Sequence, residues 1–271
     1  MSEADSSPAE TLTGWPLPVE PSLAMTWEAW RLSEVELLGL ALLAVLVAAA
    51  WFAGRRLVAG FALLVGSVTL AGPIAVYAPV QFSATAAQYL LLAGVVGPLL
   101  GQAIYARRTA EPRKGPAAQW STILLMILLG VSLFSVLLPA AKSEPWLNLA
   151  VCAALLGGGV AMGGAVVRQK SERGPAGLLA GGGLLGIGLW LAVNDQLIAA
   201  EHFGLTGRTW APDALTDQRL SSVLFIVAGL VTLVVSVLTL LGGIPVELRT
   251  STPRNPDPEL DKQLKEFFDP R

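Results

Sequence analysis

Charge, cysteine and histidine are all scarce in this chain of 271 residues. Charged side chains make up 14% of it, against about 25% in an ordinary soluble domain, and so large a deficit excludes a water-soluble fold. One cysteine, Cys152, and one histidine, His202, exclude a disulfide scaffold, a zinc ribbon and any conventional multi-histidine metal site. Eighteen Lys and Arg against 20 Asp and Glu leave a net charge of -2, so no basic surface is available for nucleic acid. What is abundant fits a lipid bilayer. Hydrophobic residues reach 54% and the mean hydropathy is +0.61, while 8 Trp and 28 Gly supply interfacial anchors and close helix contacts.

A bilayer core needs roughly 20 apolar residues per helix. Seven stretches qualify: 35–53, 57–76, 84–105, 120–139, 147–167, 176–193 and 220–241. The predicted fold class is therefore an all-α polytopic membrane protein with seven transmembrane helices. Gly54-Arg55-Arg56 is the shortest connection and predicts a tight helical hairpin. No signal peptide is expected, because Met1–Glu20 is acidic and lacks an apolar core.

Basic residues in short loops resist translocation, and their distribution sets the orientation. One side carries Arg55, Arg56, Arg107, Arg108, Arg113, Lys114, Arg168, Lys170 and Arg173; the other has only Arg31, Lys142, Arg208 and Arg219. Nine against four places the N-terminus outside and the C-terminus inside. Residues 1–34 then form an acidic extracytoplasmic segment with Trp27 and Trp30 at the interface, and residues 35–241 form the membrane domain. Residues 242–271 form a cytoplasmic tail. In that tail Asp257-Pro258-Glu259 followed by Leu260, Leu264, Phe267 and Phe268 predicts a short amphipathic helix.

The apolar interiors of the seven spans carry no Lys, Arg, Asp, Glu or His. That argues against a proton-coupled transporter and against a haem-ligating subunit. Gly181, Gly183 and Gly186 match G-x-G-x-x-G, with Glu201 twenty residues on, but a dinucleotide site needs a preceding strand. These glycines read instead as packing positions, as do the pairs Gly159 with Gly163 and Gly182 with Gly186. His202 beside Glu201 reads as a solvated loop histidine, since one imidazole and one carboxylate make a poor metal site. Cys152 reads as a small buried hydrophobe. A copper site would require Met126 or Met162 as a second soft ligand. No cofactor and no catalytic residue is expected.

Several segments taken in order resemble the CtaG family of cytochrome c oxidase assembly proteins, which are seven-span membrane proteins. Ala71-Gly72-Pro73-Ile74, Gln81-Phe82-Ser83, Gln88-Tyr89-Leu90-Leu91-Leu92 and Gly97-Pro98-Leu99-Leu100 are similar to that family's fs-x-H-x-x-Q-H-l-l-l…P-P-L-L pattern. Pro139 and Pro145-Trp146-Leu147-Asn148 resemble its H-l-P and l-H-l-l-E-H segments, and Asp217-Gln218-Arg219-Leu220 resembles D-Q-q-l-a-G. Where the pattern has histidine, this chain has Thr85, Tyr89, Leu137, Asn148 and Cys152; Val151 replaces an acidic residue and Gly97 a proline. The resemblance implies the family's scaffold, with Gln88, Pro98, Asp217 and Gln218 as signature positions; read by itself, Asp217 is a cap of the last span, since Asp is a strong N-cap. It does not carry over copper ligands.

The resemblance implies a non-enzymatic protein of the cell's inner (plasma) membrane that assists assembly or support of a respiratory oxidase, and the missing ligands point to contacts with its subunits as the means. A permanent accessory subunit of a larger membrane complex would need the same surfaces. A small-solute transporter or channel would need a polar path through Ser67, Thr69, Gln81, Thr85, Gln88, Tyr89, Gln102 and Asn148.

Overall fold

The computed structural model describes residues 30–106, 115–169, 172–204 and 212–241, and every element among them is helical. Seven helical stretches are long and apolar enough to cross a membrane: Glu34–Phe52, Arg56–Tyr77, Phe82–Tyr105, Ala117–Phe134, Pro145–Arg168, Arg173–Val193 and Ala214–Leu240. The predicted tail helix and the segment preceding Trp30 lie outside the described residues.

The first span is α1 (Glu34–Phe52), started by Ser33, whose backbone N–H donates to Glu36 Oε2 at 3.2 Å. It turns into the second span over Gly54, whose φ of 81° is the left-handed conformation that glycine adopts without a Cβ penalty. The second span is α2 (Arg56–Leu70) followed by the single turn α3 (Pro73–Tyr77). Pro73 has no N–H to return to Thr69, so the helix breaks there and the Thr69 carbonyl is left without its intrahelical donor. The third span is also interrupted. Between α4 (Phe82–Leu91) and α5 (Gly97–Tyr105), residues Leu92–Val96 form one wide turn in which Gly97 N–H reaches back to the Leu92 carbonyl. Such a bulge accommodates Pro98, which cannot donate to Gly94 in a regular helix.

The fourth span, α6 (Ala117–Phe134), ends earlier than the predicted Pro139. Ser135 is extended at ψ 174°, and its hydroxyl accepts from Leu137 N at 3.1 Å, which closes α6 and starts a separate helix, α7 (Leu137–Ser143). The last three spans are α8 (Pro145–Arg168), α9 (Arg173–Val193) and α11 (Ala214–Leu240), with the turn α10 (Ala200–Phe203) between the last two. α11 begins six residues ahead of the expected Leu220, because Asp213 rather than Asp217 caps it: Asp213 Oδ1 accepts from Leu215 N at 3.0 Å and Thr216 N at 2.9 Å.

Glycine sets two intimate helix contacts. A Cβ on Gly101 would lie 2.1 Å from the Val160 carbonyl oxygen, and one on Gly163 would lie 2.2 Å from that of Pro98, so α5 and α8 meet backbone to backbone. Gly159 belongs to the same contact. On α9, Gly174, Gly177, Gly181 and Gly188 face Leu240, Ser236, Leu233 and Ile226 of α11. Gly183 faces Met126 of α6, but nothing lies within 4 Å of a Cβ built at Gly182 or Gly186. That pair therefore makes no helix contact, contrary to the expectation from its spacing: at 100° per residue it points to the side of α9 turned away from α11. Val223, Val227, Leu230 and Val234 of α11 are exposed, on a face suited to lipid.

Candidate functional site

The polar centre of the molecule is assembled by the helix breaks. Lys142, in the last turn of α7, is only 5% exposed although it stands outside the seven spans. Its Nζ donates to Gln88 Oε1 at 3.1 Å and to Asn148 Oδ1 at 2.8 Å, and lies 4.7 Å from the ring centroid of Tyr89. Lysine has three donors and no acceptor, so both amides must present oxygen to it. Gln88 then turns its Nε2 the other way and donates at 3.0 Å to the Thr69 carbonyl that Pro73 left open. A single proline in the second span thus orients the amide that holds the ammonium.

Lys142, Gln88, Asn148 and Cys152 border a cavity of about 40 Å³, together with Arg31 and Glu36 at the start of the first span. Arg31 Nε lies 3.2 Å from Glu36 Oε1, so these two charges offset each other. No described carboxylate makes an ion pair with Lys142. Burial lowers the Lys142 pKa to about 8, with Cys152 opposing that shift. Burial likewise lowers Arg31, and Glu36 raises it. The Tyr89 hydroxyl is buried without a hydrogen-bond partner.

Three of the five positions at which the resemblance would place histidine, Tyr89, Asn148 and Cys152, converge on this lysine or its cavity. Thr85 is spent elsewhere, its hydroxyl donating to the Ala78 carbonyl at 2.6 Å, and Leu137 packs on the apolar core. The donor set does not fit copper. An ammonium occupies its centre, the two amides are weak ligands turned to that ammonium, and Cys152 is the one soft donor. Among the described residues no group of three or more His, Cys, Asp or Glu comes together.

His202 and Glu201 do not form a site with it. His202 is buried rather than solvated, which overturns the expectation for a loop histidine. Its Nε2 lies 2.7 Å from the Pro79 carbonyl and must carry the hydrogen, since a carbonyl only accepts. The ring meets Phe203 edge-on at 5.0 Å. Burial lowers the His202 pKa, the bond to Pro79 opposes this, and Lys142 adds to the lowering. Glu201 is exposed, Asp195 is engaged with Arg219 at 2.7 Å, and Asp213 caps α11, so none of these three carboxylates converges on the imidazole.

The four signature residues hold the scaffold. Asp217, 1% exposed, caps α4 instead of its own helix: Oδ2 accepts from Phe82 N at 2.7 Å and Ser83 N at 3.4 Å, and Oδ1 accepts from the Ser83 hydroxyl. Gln218 next to it accepts from Ile198 N at 2.7 Å and donates to the Gln196 carbonyl at 3.1 Å, fixing the connection between α9 and α10 where Ala199 takes a φ of 51°. Pro98 forms the floor beneath Gly159 and Gly163, and Gln88 orders Lys142. Lys142 is the residue that sequence reasoning missed, counting it only among the basic residues between spans. The available signal was its setting, a lone lysine after Leu137-Leu138-Pro139-Ala140-Ala141.

No curated protein and no solved structure matches the chain. A protein-family comparison does: residues 37–244 match the family described as cytochrome c oxidase caa3 assembly factor, Caa3_CtaG, which takes in all seven spans from the first turn of α1 onward. That coverage, on a seven-helix membrane scaffold pinned by the signature residues, establishes that this chain belongs to the Caa3_CtaG family of cytochrome c oxidase assembly factors.

Proposed function

We propose that this chain assists assembly of a respiratory cytochrome c oxidase in the plasma membrane through protein contacts, without a metal centre and without covalent chemistry of its own. The observation that carries this reading is the substitution of the family's histidine positions around Lys142. Tyr89, Asn148 and Cys152 together with an ammonium make a cluster that repels a metal cation instead of ligating one. The scaffold contacts of Gln88, Pro98, Asp217 and Gln218 are retained while the ligands are gone, as expected of a protein kept for its surfaces.

The distribution of basic residues favours the N-terminus outside. The cavity then opens near the outer ends of the first, second and fifth spans, on the side away from the basic loops. Affinity purification of the tagged chain from its own membranes in mild detergent tests the proposal. Oxidase subunits should co-purify with no more than trace copper bound to the chain. A chain that retains copper at one equivalent, or returns without oxidase subunits, contradicts it. Recovery at a fixed one-to-one ratio would identify a permanent subunit in place of a transient factor.

A further inference from the structure

The Lys142 cavity has the features of a built anion site. Among the described residues its charged groups are Arg31, Glu36 and Lys142; Arg31 and Glu36 offset each other, and no described carboxylate offsets the charge of Lys142. Two of the three ammonium protons go to Gln88 and Asn148, so the third is free to donate. The Asn148 amide faces Lys142 with its oxygen, which leaves its NH2 as a second donor beside the first. A cation buried without a counter-ion is costly, and an anion seated against it recovers much of that cost.

The size and charge of the space restrict what can enter. A cavity of about 40 Å³ holds roughly three water molecules, at about 10–15 Å³ each. One surplus positive charge and two adjacent donors match the two oxygens of a monovalent carboxylate. A phosphate, with more charge and four oxygens, would bring a second negative charge that nothing in the cavity offsets. The apolar remainder of the wall, including Val35, Leu70, Ala75 and Leu149, suits a short hydrocarbon substituent.

We infer that the cavity bordered by Lys142, Asn148, Gln88 and Cys152 binds a small monocarboxylate, with the Lys142 ammonium and the Asn148 amide NH2 as its donors. Gln88 is a positioning residue, fixing the ammonium through its own bond to Thr69. The inference is independent of the oxidase assembly reading, because it concerns a ligand of the isolated chain.

The test is equilibrium binding of isotope-labelled acetate to the purified full chain in detergent, at constant ionic strength in sodium chloride. One saturable site per chain is expected, displaced by propionate in preference to inorganic phosphate. Lys142→Met should weaken binding by at least about tenfold, the loss expected for a hydrogen bond to a charged group. Asn148→Asp guards against a folding artefact: it places a carboxylate 2.8 Å from the ammonium in the native geometry, so it should abolish acetate binding while raising the melting temperature. Absence of saturable binding by the folded wild-type chain would overturn the inference. So would unchanged affinity in both variants, or displacement by phosphate more readily than by propionate.

Discussion

The ammonium of Lys142 lies 4.7 Å from the ring centroid of Tyr89, held there by the amide oxygens of Gln88 and Asn148. A desolvated cation over an aromatic face gains up to about 2 kcal/mol, less than the cost of removing its water, so the two amides are needed to hold it. The cluster therefore depends unequally on its members.

Gln88→Leu should be more damaging than Lys142→Met. Removing the amide leaves the Thr69 carbonyl without its donor and the buried ammonium with one amide oxygen in place of two, at an expected cost of about 2–4 kcal/mol. Replacing the lysine by methionine relieves the buried charge but takes the donor from the Gln88 and Asn148 oxygens, so the two effects offset and the net change should be the smaller one. Thermal unfolding of the two variants in detergent gives the order, and the double variant should recover part of the Gln88→Leu loss.

The same lysine predicts a dependence on pH. In an unfolded chain it titrates near about 10.4, whereas in the folded protein burial brings it to about 8. Between those values the unfolded chain holds a proton that the native state has released, so stability rises with pH across that interval. Below about 8 both states are protonated and the full burial cost applies, on the order of 3 kcal/mol for so large a shift. Cys152, Tyr89, His202, Arg31 and Glu36 also surround the ammonium, so the quantity to measure is the difference between wild type and Lys142→Met. That difference should shrink as pH rises from about 8 to about 10.

Asp217 and Asp213 cap different helices and should differ in importance. Asp217→Ala removes three acceptor contacts from the buried start of α4, and it unfastens the third span from the seventh. Its expected cost is about 2 kcal/mol, whereas Asp213→Ala, at an exposed cap, should cost about 1 kcal/mol or less. Chemical unfolding of both variants checks the order.

Glycine substitutions separate contact from composition. Gly101→Ala and Gly163→Ala force a Cβ into facing backbone and should each destabilise by about 1–3 kcal/mol or prevent folding. Gly186→Ala meets nothing and should be neutral or slightly stabilising, since alanine is the better helix former. Melting temperatures of the three variants decide it.

Seven spans were legible because hydropathy over about 20 residues depends on the bilayer alone. Their ends were less so. The close of α6 turns on a local bond between Ser135 and Leu137, and the start of α11 on which of two aspartates caps it. The role of Asp217 depends on Phe82, 135 residues away in sequence, and no local pattern encodes that pairing. Tyr89, Asn148 and Cys152 were recognisable as substituted positions, but Lys142 was concealed. A lysine between two spans looks solvated until a proline break and a serine turn fold its segment against Gln88 and Asn148.

The central claim is that the chain serves oxidase assembly by contact and not by carrying metal. The most direct measurement is the a-type haem difference spectrum of membranes from cells lacking the chain, complemented with wild type or with Cys152→Ala. The account predicts that the oxidase signal falls without the chain and returns fully with both genes. An unchanged signal in the deletion, or failure of Cys152→Ala to restore it when the variant is present at wild-type levels, would contradict the account.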